Sequence, residues 1–193
     1  MFNICYKLTT CICLNAFSAK ICKYKAELYL ETPYNSVYDI IHANTPKINL
    51  HIPDYLLIVS FLLNIFKYIF YNDLFSNDTF HKNIDILIYS LFFRSITTQL
   101  TIIPTCMTKP TKAPTNVYTE AFVSTHDLIY SGHTLVFLFF GKLIEVEYTK
   151  NILLFTIGKV IQYIFPVTLI VARQHYTIDV VVAIIMYNYF ASI

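Results

Sequence analysis

Apolar stretches alternate with short polar connections along most of the chain. The stretches cover residues 55–71, 84–104, 128–144, 152–171 and 176–193. Each is close to the roughly 20 residues that one helix needs to cross a hydrocarbon core of about 30 Å. Tyrosine and phenylalanine near their ends suit the membrane interface and lengthen the shorter ones. The pattern predicts at least five membrane helices. The connections 72–83 and 105–127 are polar, and the second, which follows Pro104 and holds Pro110, Pro114 and a run of Thr and Lys, reads as an exposed loop. There is no internal repeat and no heptad pattern.

The first 54 residues read as a separate N-terminal segment, with 55–193 as the main membrane domain. Residues 2–21 are apolar but interrupted by Lys7, Thr9, Thr10 and Asn15, and Lys20, Lys23 and Lys25 follow. Two readings stay open: a further span, or a cleavable signal with Ala16 and Ser18 near the cut. Cys5, Cys11, Cys13 and Cys22 lie here without C-x-x-C spacing, so they read as small apolar residues rather than a zinc or disulfide framework.

Composition agrees with a membrane chain. Of 193 residues, 56% are hydrophobic and 13% charged, and the mean hydropathy is +0.54. The expected fold is an all-α, polytopic membrane helix bundle of five to six spans, with little left for a soluble domain. A formal charge of +2, with scattered lysines, does not fit a nucleic-acid partner.

Two short polar motifs stand out: Ser131-Gly132-His133-Thr134, and His175-Tyr176-Thr177-Ile178-Asp179. One full span separates them, so both histidines fall on the same side of the membrane, together with Pro53-Asp54 and the region of Thr101 and Pro104. Lys82, Lys142 and Lys150 fall on the opposite side, which favours calling that side cytoplasmic, although Glu145 and Glu147 accompany them and Lys109 and Lys112 lie on the histidine side. Asp179 follows His175 by four residues, so on a helix its carboxylate can accept a hydrogen bond from one imidazole nitrogen and leave the other basic.

Gly132, one of three glycines, permits close backbone approach to an anion at a helix start, where free N–H groups favour negative charge. The two arginines, Arg94 within a span and Arg173 two residues before His175, carry the planar fork that matches phosphate. The competing readings are an internal ion pair for Arg94 and an interfacial anchor for Arg173. No set of zinc ligands is recognisable, and phosphoryl transfer through histidine needs neither metal nor cofactor. His42, His51 and His81 read as loop residues.

The segments Asp127-Leu128-Ile129-Tyr130-Ser131-Gly132-His133-Thr134 and His175-Tyr176-Thr177-Ile178-Asp179-Val180-Val181-Val182-Ala183 resemble the third and fourth signatures of the sphingomyelin synthase family. These are ceramide phosphotransferases related to the lipid phosphate phosphatases. Arg94-Ser95-Ile96-Thr97-Thr98 resembles the second signature and Pro53-Asp54 the end of the first, in the family's order. Where the family's third signature opens Cys-Gly-Asp, this chain has Thr125-His126-Asp127.

The resemblance implies a six-span, lipid phosphate phosphatase-like fold in the Golgi or plasma membrane, with the site facing the lumen or exterior. It implies His133, His175 and Asp179 as the catalytic triad; the residues of this chain expected around the substrate are Arg94, Asp127, Ser131, Gly132 and Arg173. The expected partners are a phospholipid donor and a ceramide acceptor, with a homo-oligomer allowed. The expected reaction moves a phospho-head group, phosphocholine or phosphoethanolamine, to ceramide through a phosphohistidine, releasing diacylglycerol. Two rivals stay open: a lipid phosphatase using the same triad with water, and a catalytically silent sphingolipid-binding protein.

Overall fold

The computed structural model describes residues 2–29, 37–71, 77–101, 103, 130–145 and 150–193. Among these residues every regular element is helical: α1 (Phe2–Tyr29), α2 (Ile40–Asn44), α3 (Ile52–Tyr71), α4 (Asn77–Leu100), α5 (Gly132–Ile144), α6 (Ile152–Lys159), a π turn (Val160–Ile164), α7 (Phe165–Val171) and α8 (Thr177–Ser192). Two helical stretches, Ile52–Phe70 and Ile152–Val171, are long and apolar enough to cross a membrane. The proline-rich loop, with Asp127, lies outside the described residues.

Local chemistry sets several boundaries. Pro53 stands at the start of α3, where its missing N–H costs nothing, and Asp54 meets the positive end of the helix dipole. Asn151 caps α6 by accepting from the Leu154 N–H at 3.0 Å. The rod from Ile152 to Val171 passes through its π turn just before Pro166, which has no N–H to give to the Gln162 carbonyl. Helix α4 begins at Asn77, well before the apolar stretch at 84, so His81 sits on a helix rather than in a loop.

The inside of the bundle is unusually polar and the outside unusually apolar. Ser60, Asn64 and Lys67 of α3 and Ser90, Arg94, Ser95 and Thr98 of α4 are buried. Ile58, Phe61, Leu62, Phe66 and Ile69 of α3, Tyr89, Phe92, Ile96 and Leu100 of α4, and Ile178, Val181, Ile185 and Tyr189 of α8 are exposed. Side chains that would seek the core of a soluble protein here form outward stripes at helical spacing, as in a bundle whose solvent is lipid. Ser60, Ser95 and Thr98 donate to carbonyls of their own helices, while two α3 side chains reach across to α5: Asn64 Nδ2 donates to the Phe140 oxygen at 3.2 Å and Lys67 Nζ to the Leu143 oxygen at 2.7 Å.

Helix α5 is central. Tyr130, Leu135 and Leu138 pack with Ile86 and Leu87 of α4 and with Ala183 and Tyr187 of α8. On its other side Phe137 and Ile144 meet Ile161, Leu169, Ile170 and Val180. Where α5 crosses α6 the backbones nearly touch: a Cβ on Gly141 would lie 2.7 Å from the Gly158 oxygen, and one on Gly158 would lie 2.8 Å from the Gly141 oxygen. Only glycine fits either position.

Helix α1 is packed into this bundle, parallel to α4. Asn15 Nδ2 donates to the Leu91 oxygen at 2.8 Å, Gln99 Nε2 to Ser18 Oγ at 2.8 Å, and Lys25 Nζ to the Gln99 oxygen at 3.2 Å. The polar residues that interrupt this segment in the sequence thus include its inward face.

Candidate active site

The starts of α3, α5 and α8 and the ends of α4 and α7 gather at one end of the bundle, and this brings the two histidine motifs together. Ser131 caps α5, its Oγ accepting from the Thr134 N–H at 3.1 Å, and its own N–H donates to the Asp179 oxygen at 3.2 Å. That second bond ties the start of α5 to the first turn of α8. His133 is the second residue of α5, and its ring centroid lies 5.9 Å from that of His175, at 62°.

His175 ends the turn that joins α7 to α8. The turn is closed by Arg173 N–H to the Ile170 oxygen at 2.8 Å and Gln174 N–H to the Leu169 oxygen at 2.9 Å. Arg173 adopts φ 60°, a left-handed conformation that costs a side-chain-bearing residue on the order of 1 kcal/mol or more. Asp179 is fully buried, and its Oδ2 accepts from the Tyr176 N–H at 2.8 Å and lies 3.4 Å from His175 Nδ1. The carboxylate therefore faces one nitrogen of the imidazole, which turns the other nitrogen away from it.

Arg94 reaches this end from the interior of α4. Its Nε donates to the Tyr130 oxygen at 2.8 Å and one terminal nitrogen to Asn15 Oδ1 at 2.7 Å. It passes close under Gly132, where a Cβ would stand 3.4 Å from Nε. These two bonds tie the guanidinium to the residue before Ser131 and to α1, and so support the turn that presents Ser131 and His133. Asp54, in the first turn of α3, lies 3.8 Å from His51 Nδ1. Among the described residues no group of three or more His, Cys, Asp or Glu gathers into a metal-ligating set.

The residues around the site that sequence reasoning missed lie between 37 and 50. Asp39 accepts from the Thr177 N–H at 2.7 Å and the Thr177 hydroxyl at 2.9 Å. His42, read as a loop residue, has Nε2 3.1 Å from the His175 carbonyl oxygen and stacks on the Tyr176 ring at 5.7 Å. The Val37 N–H donates to the Tyr176 hydroxyl, a terminal nitrogen of Arg173 to the His42 oxygen, and Gln174 Nε2 to the Leu50 oxygen. Burial by itself would raise the Asp39 carboxyl, but the Thr177 and His42 hydrogen bonds and the His42 charge outweigh it and hold the group below its ordinary value. A pocket of about 520 Å³, lined by Val37, Tyr38, Ile40, Ile103, Ile178 and Val181 among others, opens beside this strap.

A pair of histidines at adjoining helix starts, one backed by a buried carboxylate, is a constellation for phosphoryl chemistry. Residues 125–193 match the family described as PAP2 superfamily C-terminal, and the match spans both motifs. It supports a relation to the lipid phosphate phosphatase superfamily and, with it, phosphatase or phosphotransferase chemistry. No curated protein matches the chain.

Proposed function

We propose that this protein is a multi-pass membrane phosphotransferase that moves a phospho-head group from a glycerophospholipid to ceramide. The observation that carries the reading is the approach of the His133 and His175 rings to 5.9 Å, with Asp179 3.4 Å from His175 Nδ1. Rings this close, at adjoining helix starts, can both address one phosphorus group.

In the first step His175 Nε2, with its Nδ1 proton turned toward Asp179, attacks the donor phosphorus. The bond from phosphorus to the glycerol oxygen breaks, and protonated His133 gives its proton to that oxygen, releasing diacylglycerol. The phosphorylated imidazole carries positive charge, which Asp179 offsets. In the second step neutral His133 removes the proton of the ceramide primary hydroxyl. The freed oxygen forms its bond to phosphorus as the P–N bond breaks, and both histidines return to their starting states. The amides at the start of α5 are suited to the charge on the equatorial oxygens. The apolar pocket beside α8 suits a hydrocarbon chain, and the resemblance of the four ordered signatures selects ceramide as acceptor.

The match to the PAP2 superfamily supports a second reading equally, in which water takes the place of ceramide. A donor lipid labelled in its phosphorus, incubated with purified protein in vesicles lacking ceramide and quenched in alkali, distinguishes them. The transferase is expected to hold label on His175 until ceramide discharges it. Discharge at one rate with or without ceramide identifies the phosphatase. Diacylglycerol release with no label on the protein overturns the covalent route.

A further inference from the structure

Asp39 lies far from both histidine motifs in sequence, yet its carboxylate joins two helix starts. Its Oδ1 accepts from the N–H groups of Ile41 at 2.9 Å and His42 at 3.2 Å, capping α2, while both oxygens take the Thr177 N–H and hydroxyl. Thr177 is the first residue of α8, and its N–H is one of the four that a helix start leaves without an internal acceptor. The preceding N–H, that of Tyr176, goes to Asp179 Oδ2, the same oxygen that faces His175 Nδ1. Two carboxylates thus hold successive N–H groups of one turn, and one of them is the group that orients the histidine.

The rest of the strap engages the same turn residue by residue. His42 reaches the His175 carbonyl and stacks on the Tyr176 ring, the Val37 N–H meets the Tyr176 hydroxyl, and Arg173 reaches back to the His42 oxygen. The lowered Asp39 carboxyl keeps this clasp charged at neutral pH. A flexible joint between α7 and α8 would let His175 swing relative to Asp179. Clamped at three consecutive residues, it has little room to do so.

We propose that Asp39 is a positioning residue for the reaction: by fixing the first turn of α8 it sets the geometry between His175 and Asp179, with His42 as the second clasp of the same strap. The inference rests on His175 being the nucleophile, and it assigns Asp39 no contact with substrate. Loss of the clasp lowers the fraction of time in which His175 is aimed, so kcat falls while KM for the donor stays near its wild-type value.

The test compares the full-length wild type with Asp39→Ala, Asp39→Asn and Thr177→Val in vesicles, following diacylglycerol release, which either acceptor chemistry produces. Asp39→Ala is expected to lower kcat about tenfold or more, the loss of charge-assisted hydrogen bonds. Asp39→Asn keeps one acceptor and is expected to recover part of it, and Thr177→Val, which keeps the N–H, is the mildest. A second readout needs no substrate: the rate at which diethyl pyrocarbonate modifies His175, read by mass spectrometry against the exposed His81 of the same molecule. Asp39→Ala is expected to raise that ratio several-fold in protein that still unfolds cooperatively. An unchanged His175 ratio, or an unchanged kcat in the presence of wild-type turnover, overturns the inference. Absence of turnover in the wild type would instead count against the function, and the modification ratio would still decide the role of Asp39.

Discussion

Asp39 and Asn15 are single residues on which distant parts of the chain depend. Because the folded Asp39 carboxyl titrates below its ordinary value of 3.8, its contribution to stability is complete above that value and is lost as pH falls through the lower folded value. The melting difference between wild type and Asp39→Asn is therefore expected to be flat from pH 7 to about 5 and to close below about 4. A difference that instead grew on acidification would show that the carboxylate is not stabilised by the Thr177 and His42 bonds. Asn15 holds Arg94 from α1, and Asn15→Leu leaves that guanidinium one acceptor short inside the bundle. The expected cost is about 1–2 kcal/mol in unfolding, with loss of activity because the Tyr130–Gly132 turn loses its support. His133, His175 and Asp179 were marked as candidates in the sequence because they lie in two short polar motifs; the four-residue spacing pairs His175 with Asp179, and the one span between the motifs returns His133 to the same end. Asp39 was not, because its partner Thr177 lies 138 residues away and no local pattern marks it. Asn15 was visible only as an interruption in an apolar run, with its partner 79 residues on.

The elements carry their own constraints. Helix α5 must touch α6 closely enough for the Gly141 and Gly158 backbones to meet, and the adjacent π turn aims Gln162 Nε2 at Glu145 Oε2, at 2.6 Å. Burial acts to raise the Glu145 carboxyl, but Gln162, Lys159 and Lys142 together hold it below its ordinary value. Gly158→Val is expected to separate the two helices and to cost about 1–3 kcal/mol, measured as a shift in the unfolding transition, while Gly132→Ala, with 3.4 Å to Arg94, costs less. Equal effects at the two positions would contradict the crossing. The apolar stretches located α3, the rod 152–171 and α8 to within a few residues, because length and apolar content suffice to mark such helices. They placed the start of α4 too late, since Asn77 to Asn83 is polar sequence in helical form. They left α1 undecided, because its inward face is polar and meets α4, a contact that no local signal reports.

At the scale of the molecule, polar groups inside and aromatic and branched residues outside set one consistent environment, and the alternating directions of the helices bring the starts of α3, α5 and α8 to one end. That end holds both histidine motifs, the buried Asp179 and the strap from residues 37 to 50, while the cluster of Glu145, Lys142 and Lys159 lies at the other end of α5. The layout suits a site that meets lipid head groups at one membrane surface, with its hydrocarbon partners alongside α8. The most direct measurement of this account is lipid product analysis of membranes containing the protein, given fluorescent ceramide with phosphatidylcholine, phosphatidylethanolamine and phosphatidylinositol, beside His175→Ala. The account predicts a labelled phosphosphingolipid in the wild type and none in the variant. Unchanged ceramide in the wild type, or equal product in both, would contradict it.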